Sequence, residues 1–327
     1  MGVEPRVKLA DSGFVSLGAS SHRPEPTPSI APSLPRAALS RPIVCHHVLF
    51  VLKGKVNARA SLAAVGIGFW LTMAGGVSAG PNSGERIIGG SEADPADWPF
   101  IAAITTRNGS QFCGGSVIAK DAVVTAAHCM FDYFGRPLKR REVRVVTGRP
   151  DLRDESEGKS IRVGRITVHQ DYRRNGHRDV AVLNLARNTP ADPVDLPTPE
   201  EADAETTPGS ELWVAGWGGT KPNGAKPSDV LLDVAVYAIS DEECEPHFSY
   251  FRASEEVCAY GAPQGGNRYN DSCYGDSGGP LVADTPGGRL LVGLVSYGGR
   301  ECGVREPGVY AEVARNLNFI ERRGRLP

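Results

Sequence analysis

The chain has 327 residues, 40% of them hydrophobic, with 36 basic against 38 acidic side chains and a formal net charge of −2. That is enough apolar material for one large domain or two small ones, and a balance so near neutral implies no nucleic-acid or membrane-surface partner. The 39 glycines and 25 prolines suit many short strands and turns better than long helices, and no internal repeat is visible.

Residues 1–60 carry no strand or helix periodicity and are rich in Pro and Ser between Ser20 and Pro42; they read as an upstream segment ending in a basic n-region. Lys53, Lys55 and Arg59 precede an apolar stretch from Leu62 to Met73, and Val77-Ser78-Ala79 supplies small residues. This is the pattern of a secretory signal peptide, with its apolar region and cleavage site at 61–79. As a membrane anchor the run is short and diluted by glycine. About fifty residues stand before it, which fits either initiation downstream of Met1, for instance near Val51, or an unusually long n-region. In both cases Cys45 is expected to be absent from the mature protein. Residues 80–86 then lead into Ile87-Ile88-Gly89-Gly90.

From Ile87 onward the sequence predicts short strands over 100–105, 113–118, 142–146, 161–168 and 180–185, separated by turns. The Asp-, Pro- and Thr-rich stretch 191–210 reads as a connector to a second strand set that includes 212–216, 230–239, 281–283 and 290–296. Val313, Leu317 and Ile320 recur at helical spacing and predict a terminal helix packed on the second set.

Chemistry concentrates in three strings. Gly275-Asp276-Ser277-Gly278-Gly279-Pro280-Leu281 sets one serine among glycines whose amides can approach a reacting carbonyl, although a tight turn before a strand is the plainer reading of such a string alone. A serine hydroxyl is a poor nucleophile at neutral pH and needs a base, usually histidine, with a carboxylate to hold its tautomer. Thr125-Ala126-Ala127-His128-Cys129 and Asp179-Val180-Ala181-Val182-Leu183 supply both. His169, His177 and His247 have no comparable context and read as surface or loop residues. Six of the seven cysteines (Cys113, Cys129, Cys244, Cys258, Cys273 and Cys302) lie downstream of Ile87, an even set that points to an oxidising compartment; arithmetic does not fix their pairing. No Cys-x-x-Cys pair or zinc-type histidine spacing supports a metal site instead.

In the order His, Asp, Ser, these strings resemble the chymotrypsin/trypsin family of serine endopeptidases. Trp98-Pro99, Cys113-Gly114-Gly115-Ser116, Gly216-Trp217-Gly218, Ser296-Tyr297-Gly298 and Pro307-Gly308-Val309-Tyr310 also match its pattern, over about 240 residues from Ile87 to the end. The resemblance implies an all-β fold over 87–327: two six-stranded antiparallel Greek-key barrels with a C-terminal helix and the active site at their interface. It implies Ser277 as nucleophile, His128 as general base, Asp179 as its orienting carboxylate, and the amides of Gly275 and Ser277 as oxyanion hole. It implies the disulfides Cys113–Cys129, Cys244–Cys258 and Cys273–Cys302. Asp271 would floor a primary pocket bounded by Ser296, Gly298 and Gly308 and select Arg or Lys. Cleavage after Arg86 would free the Ile87 amine to pair with Asp276, so 80–86 reads as an activation propeptide.

Two positions depart from the family pattern. Arg149 and Lys159 stand where a calcium loop would carry acidic ligands, so no metal and no cofactor is expected, although Asp151, Asp154, Glu155 and Glu157 lie nearby. Tyr274 is a bulky group at the expected pocket rim. The resulting expectation is a secreted, extracellular monomer acting on protein or peptide substrates with Arg or Lys, open to proteinaceous protease inhibitors and without nucleic-acid partners. A non-catalytic binding protein on the same scaffold is the competing reading; it would usually show a broken triad or pocket, and neither is broken here.

Overall fold

The computed structural model describes residues 88–326, so Arg86, Ile87, Cys45 and the whole leader region lie outside the described residues. After β1 (Ser91–Glu92) come β2 (Ile101–Thr106), β3 (Gln111–Ala119), β4 (Ala122–Thr125), β5 (Val143–Thr147), β6 (Lys159–Val168), helix α1 (Gln170–Asn175) and β7 (Ala181–Leu185). Strands β2 to β7 are antiparallel and close in the order β2-β3-β4-β7-β6-β5. β4 and β7 are buried along their whole length, whereas β6 alternates buried Ile161 and Val163 with exposed Arg162 and Arg165. None of these short strands could bury its apolar face alone, and closure removes the unpaired edges.

A connector holding α2 (Pro199–Glu205) leads to β8 (Glu211–Gly216), β9 (Leu232–Ile239), α3 (Asp241–Cys244), β10 (Glu256–Gly261), the small ribbon β11 (Pro263–Gly265) and β12 (Arg268–Tyr269), then β13 (Pro280–Thr285), β14 (Gly288–Tyr297) and β15 (Gly308–Glu312). The order β9-β10-β15-β14-β13-β8, with β8 pairing back on β9, closes a second six-stranded antiparallel barrel, to which β1 adds beside β9. The fold is therefore all-β with two barrels, as expected. Disulfides join Cys113 to Cys129, Cys244 to Cys258 and Cys273 to Cys302.

Three features differ from the sequence expectations. The terminal helix α4 (Leu317–Gly324) packs on β4 and β7 of the first barrel, not on the second. Ile320 is fully buried in the first barrel's core, and Asn184 Nδ2 on β7 donates to Arg323 O at 2.9 Å. Helical spacing shows that an element has an apolar face; it does not say which sheet that face meets. The connector is partly helical, because Thr198 accepts from Glu201 N while Glu201 reaches back to Thr198 N, a capping box with Pro199 in the first turn. Finally, β10 and β15 lie outside the strands that the sequence predicts; Glu255-Glu256 across the start of one and Pro307-Gly308 across the start of the other interrupt the apolar pattern.

Candidate active site

β4 pairs antiparallel with β7, Thr125 opposite Ala181, so the residues just past one strand and just before the other share one end of the first barrel. His128 opens a short 3-10 turn after β4, and Asp179 immediately precedes the buried run into β7. Their side chains meet with His128 Nδ1 2.7 Å from Asp179 Oδ2, while Asp179 Oδ1 accepts the backbone N–H of His128 at 2.8 Å. Ser296 Oγ on β14 donates to the same Asp179 Oδ2 at 2.6 Å. Burial opposes the imidazolium, but the charge and hydrogen bond of Asp179 outweigh it and raise the His128 pKa. Burial likewise opposes the Asp179 carboxylate, and the His128 charge and these hydrogen bonds reverse it, so its pKa is lowered. With Nδ1 donating to the carboxylate, Nε2 is the nitrogen left able to accept a proton.

Ser277 sits in the turn before β13. Gly114 N donates to Ser277 O at 2.8 Å and Gly278 N donates to Val295 O at 2.7 Å, fixing the turn between β3 and β14. Gly278 adopts φ +75°, and a Cβ there would overlap Thr125 Oγ1, so both conformation and space demand glycine. Gln111 Nε2 donates to Gly275 O at 2.7 Å, a contact that nothing in the sequence signalled. Ser277 Oγ and His128 Nε2 make no hydrogen bond to each other among the described residues; such contacts often tighten only when substrate arrives.

Asp276 is fully buried. It accepts Gly218 N and Cys273 N, each at 2.8 Å, and a Cβ at Gly218 would overlap its carboxyl. Burial lifts its pKa to about 6 against those two bonds, and no cation pairs with it among the described residues. Asp271 accepts Gly303 N at 2.8 Å and is partly exposed, yet burial of its carboxyl raises its pKa to about 7. A Cβ at Gly298 would meet only Pro307 O at 3.7 Å and Gly308 Cα at 3.9 Å, which leaves room beside it, whereas one at Gly308 would come within 2.9 Å of the Tyr310 hydroxyl. Tyr310, buried and electrostatically coupled to Asp271, is a further residue of this region; its Pro-Gly-Val-Tyr string was visible, its place was not.

Ser296, expected along the pocket, donates its hydroxyl to Asp179. Tyr274 is exposed, and its hydroxyl donates to Arg300 O at 3.2 Å, tying two loops together. His169 lies in a loop as expected but stacks edge-on against Phe319. Cys113, His128 and Cys129 form the one cluster of metal-ligating atoms among the described residues, and the two sulfurs are joined to each other, which leaves no thiolate to hold an ion.

The sequence model of the Trypsin family matches residues 87–320. The chain belongs to the trypsin family. Among the relatives of this trypsin-family protease, "Trypsin" of Saccharopolyspora erythraea is 35% identical over 235 residues, covering 72% of this chain and 96% of that protein. The "Clotting factor G beta subunit" of Tachypleus tridentatus is 32% identical over 252 residues, covering 72% of this chain and 79% of that one. Trypsin-family serine proteases are hydrolases that act on protein substrates and are typically secreted.

Proposed function

We propose that this trypsin-family protease is a secreted, monomeric endopeptidase that cleaves after Arg or Lys and is made as a zymogen activated by cleavage after Arg86. Ser277 Oγ attacks the scissile carbonyl as His128 Nε2 takes its proton; the N–H groups of Gly275 and Ser277 receive the oxyanion. Collapse of the tetrahedral species returns that proton to the leaving amine, and water repeats the sequence on the acyl-enzyme. Asp179 orients the imidazole and stabilises its charged form.

The observation that carries the specificity is the Asp271 carboxyl, desolvated by burial, with the backbone amides of Gly303 and Ser272 as its hydrogen-bonded partners, and with open space beside Gly298. An arginine or lysine side chain supplies the missing charge, whereas an aromatic side chain leaves the carboxylate buried and alone. Losing one member of such a pair costs about 2–5 kcal/mol, or roughly 30- to several-thousand-fold. Asp271→Ser is therefore expected to lose that factor in kcat/KM on Arg and Lys amides and far less on Phe or Leu amides. Retention of Arg cleavage within about threefold would remove the pocket assignment.

Activation is supported by the start of the described chain. Ile88 O accepts Asp271 N at 3.1 Å, and Asp276 is buried with no cation paired to it among the described residues. A new ammonium at Ile87 gives Asp276 its counter-ion and orders the oxyanion turn. The match between Arg86 and the Asp271 pocket makes concentrated zymogen self-activating, and Arg86→Gln is expected to stay inactive until another protease cuts nearby.

A further inference from the structure

A cavity of about 280 Å³ opens on the first barrel and shares no lining residue with the site above. Arg107, Arg144 and Arg149 line it against a single carboxylate residue, Glu155. On the adjoining sheet Arg144 of β5 stands directly opposite Arg162 of β6, a like-charge pairing that is unfavourable in itself. Among the described residues neither of them, nor Arg107, forms an ion pair with a carboxylate; Arg144 Nη1 reaches only Val143 O at 3.3 Å. Thr105 in the same lining is 2% exposed, and its hydroxyl has no hydrogen-bond partner. In a chain whose overall net charge is −2, arginines gathered without matching acids are a local arrangement rather than an effect of composition.

The strand register ties this cavity to the chemistry. Gln111 pairs with Thr105, Thr105 with Arg144, and Arg144 with Arg162, one row across β3, β2, β5 and β6. At its near end Gln111 Nε2 holds Gly275 O at 2.7 Å. With strands about 4.8 Å apart, the row runs roughly 14 Å outward from the oxyanion turn. On the peptidase reading proposed above, the residue before the scissile bond enters the Asp271 pocket, and the leaving half is assigned to the Gln111 side. An extended chain advances about 3.3 Å per residue, which brings it among the arginines roughly four residues past the scissile bond.

We propose that the arginine-lined cavity binds an acidic segment of a protein substrate, beginning about four residues downstream of the scissile bond. Guanidinium groups match carboxylates in charge and in hydrogen-bond geometry. The kinetic consequence rests on the peptidase reading above; binding at the cavity does not. Two measurements decide it.

The first is fluorescence anisotropy of a labelled oligoglutamate peptide with the full-chain Ser277→Ala protein. It is expected to show saturable binding that weakens between about 50 and 300 mM salt and falls about tenfold or more in the Arg107→Gln/Arg144→Gln/Arg162→Gln variant. Absence of peptide binding, or binding of dextran sulfate alone, overturns the proposal.

The second compares two peptides with the same Arg scissile site, one with a run of Glu and one with a run of Gln from the fourth downstream residue. The Glu peptide is expected to have about tenfold higher kcat/KM, and the triple variant to abolish that difference while cleaving a short amide substrate as wild type does. Equal rates in wild type, or a difference that survives in the variant, overturns it. If no peptide is cleaved at all, the peptidase reading fails and the anisotropy result alone decides the cavity.

Discussion

On the proposed reading, two ionisable side chains set the acid limb of activity, His128 in both kcat and kcat/KM and Asp271 in kcat/KM alone. His128 must be neutral to accept a proton, and its pKa is raised above 6.5 by Asp179 against burial, so kcat should fall as pH drops through a value above the ordinary imidazole range. Asp271 must be charged to bind a guanidinium; with a free-enzyme pKa of about 7 from burial, it adds a second protonation to the kcat/KM profile on Arg substrates. The acid limb of kcat/KM is therefore expected to be steeper than one proton and that of kcat to follow one; identical single-proton limbs would contradict this assignment. Asp276 gives a linkage prediction for the uncleaved chain. Its pKa rises from 3.8 unfolded to about 6 folded, so its stabilisation is fully present below about 3.8 and is lost as pH rises through about 6. That shift corresponds to about 3 kcal/mol at neutral pH as an order of magnitude. Uncleaved Asp276→Asn should show a higher urea midpoint than wild type at neutral pH and a smaller advantage at about pH 4. A constant difference across that range would mean the carboxyl is not desolvated in the folded protein.

Among the loops, 149–158 is gathered around one side chain. Arg149 Nε donates to Glu157 O at 2.9 Å and Nη2 to Glu155 O at 3.4 Å, so a guanidinium gathers the backbone carbonyls of the segment. A chelator is expected to leave Tm and activity unchanged, whereas Arg149→Ala should speed amide exchange over 150–158 with little effect on short-substrate kcat/KM. A fall in Tm on adding chelator would show that an ion shares the work. The candidate residues could be picked out from sequence because each belongs to a contiguous string at a strand end: His128 after β4, Asp179 before β7, Ser277 before β13. What could not be read were contacts between strings. Ser296 on Asp179 and Gln111 on Gly275 join residues 117 and 164 positions apart, and no local pattern encodes such a meeting. α2 was readable in principle from its Thr-Pro-Glu-Glu start, but the Asp, Pro and Thr around it carry the composition of a loop.

At the scale of the whole molecule, two closed barrels meet so that Ser296 of the second bonds the Asp179 that holds His128 on the first, and Gly114 of the first donates to Ser277 O of the second. The barrel count followed from family resemblance and many short strands, while the docking of α4 on the first barrel depended on shape that helical periodicity does not contain. On the proposed zymogen reading, function is contingent on a single event, the joining of a new amino terminus to Asp276. The most direct measurement is covalent labelling by an arginine-type diphenyl phosphonate, followed by intact mass and peptide mapping, on the chain before and after cleavage at Arg86. The account predicts one adduct, on Ser277, formed rapidly only after cleavage and far more slowly with the phenylalanine analogue. Equal labelling of cleaved and uncleaved chain would contradict the zymogen, equal labelling by the two phosphonates would contradict the pocket, and no adduct on Ser277 would contradict the enzyme.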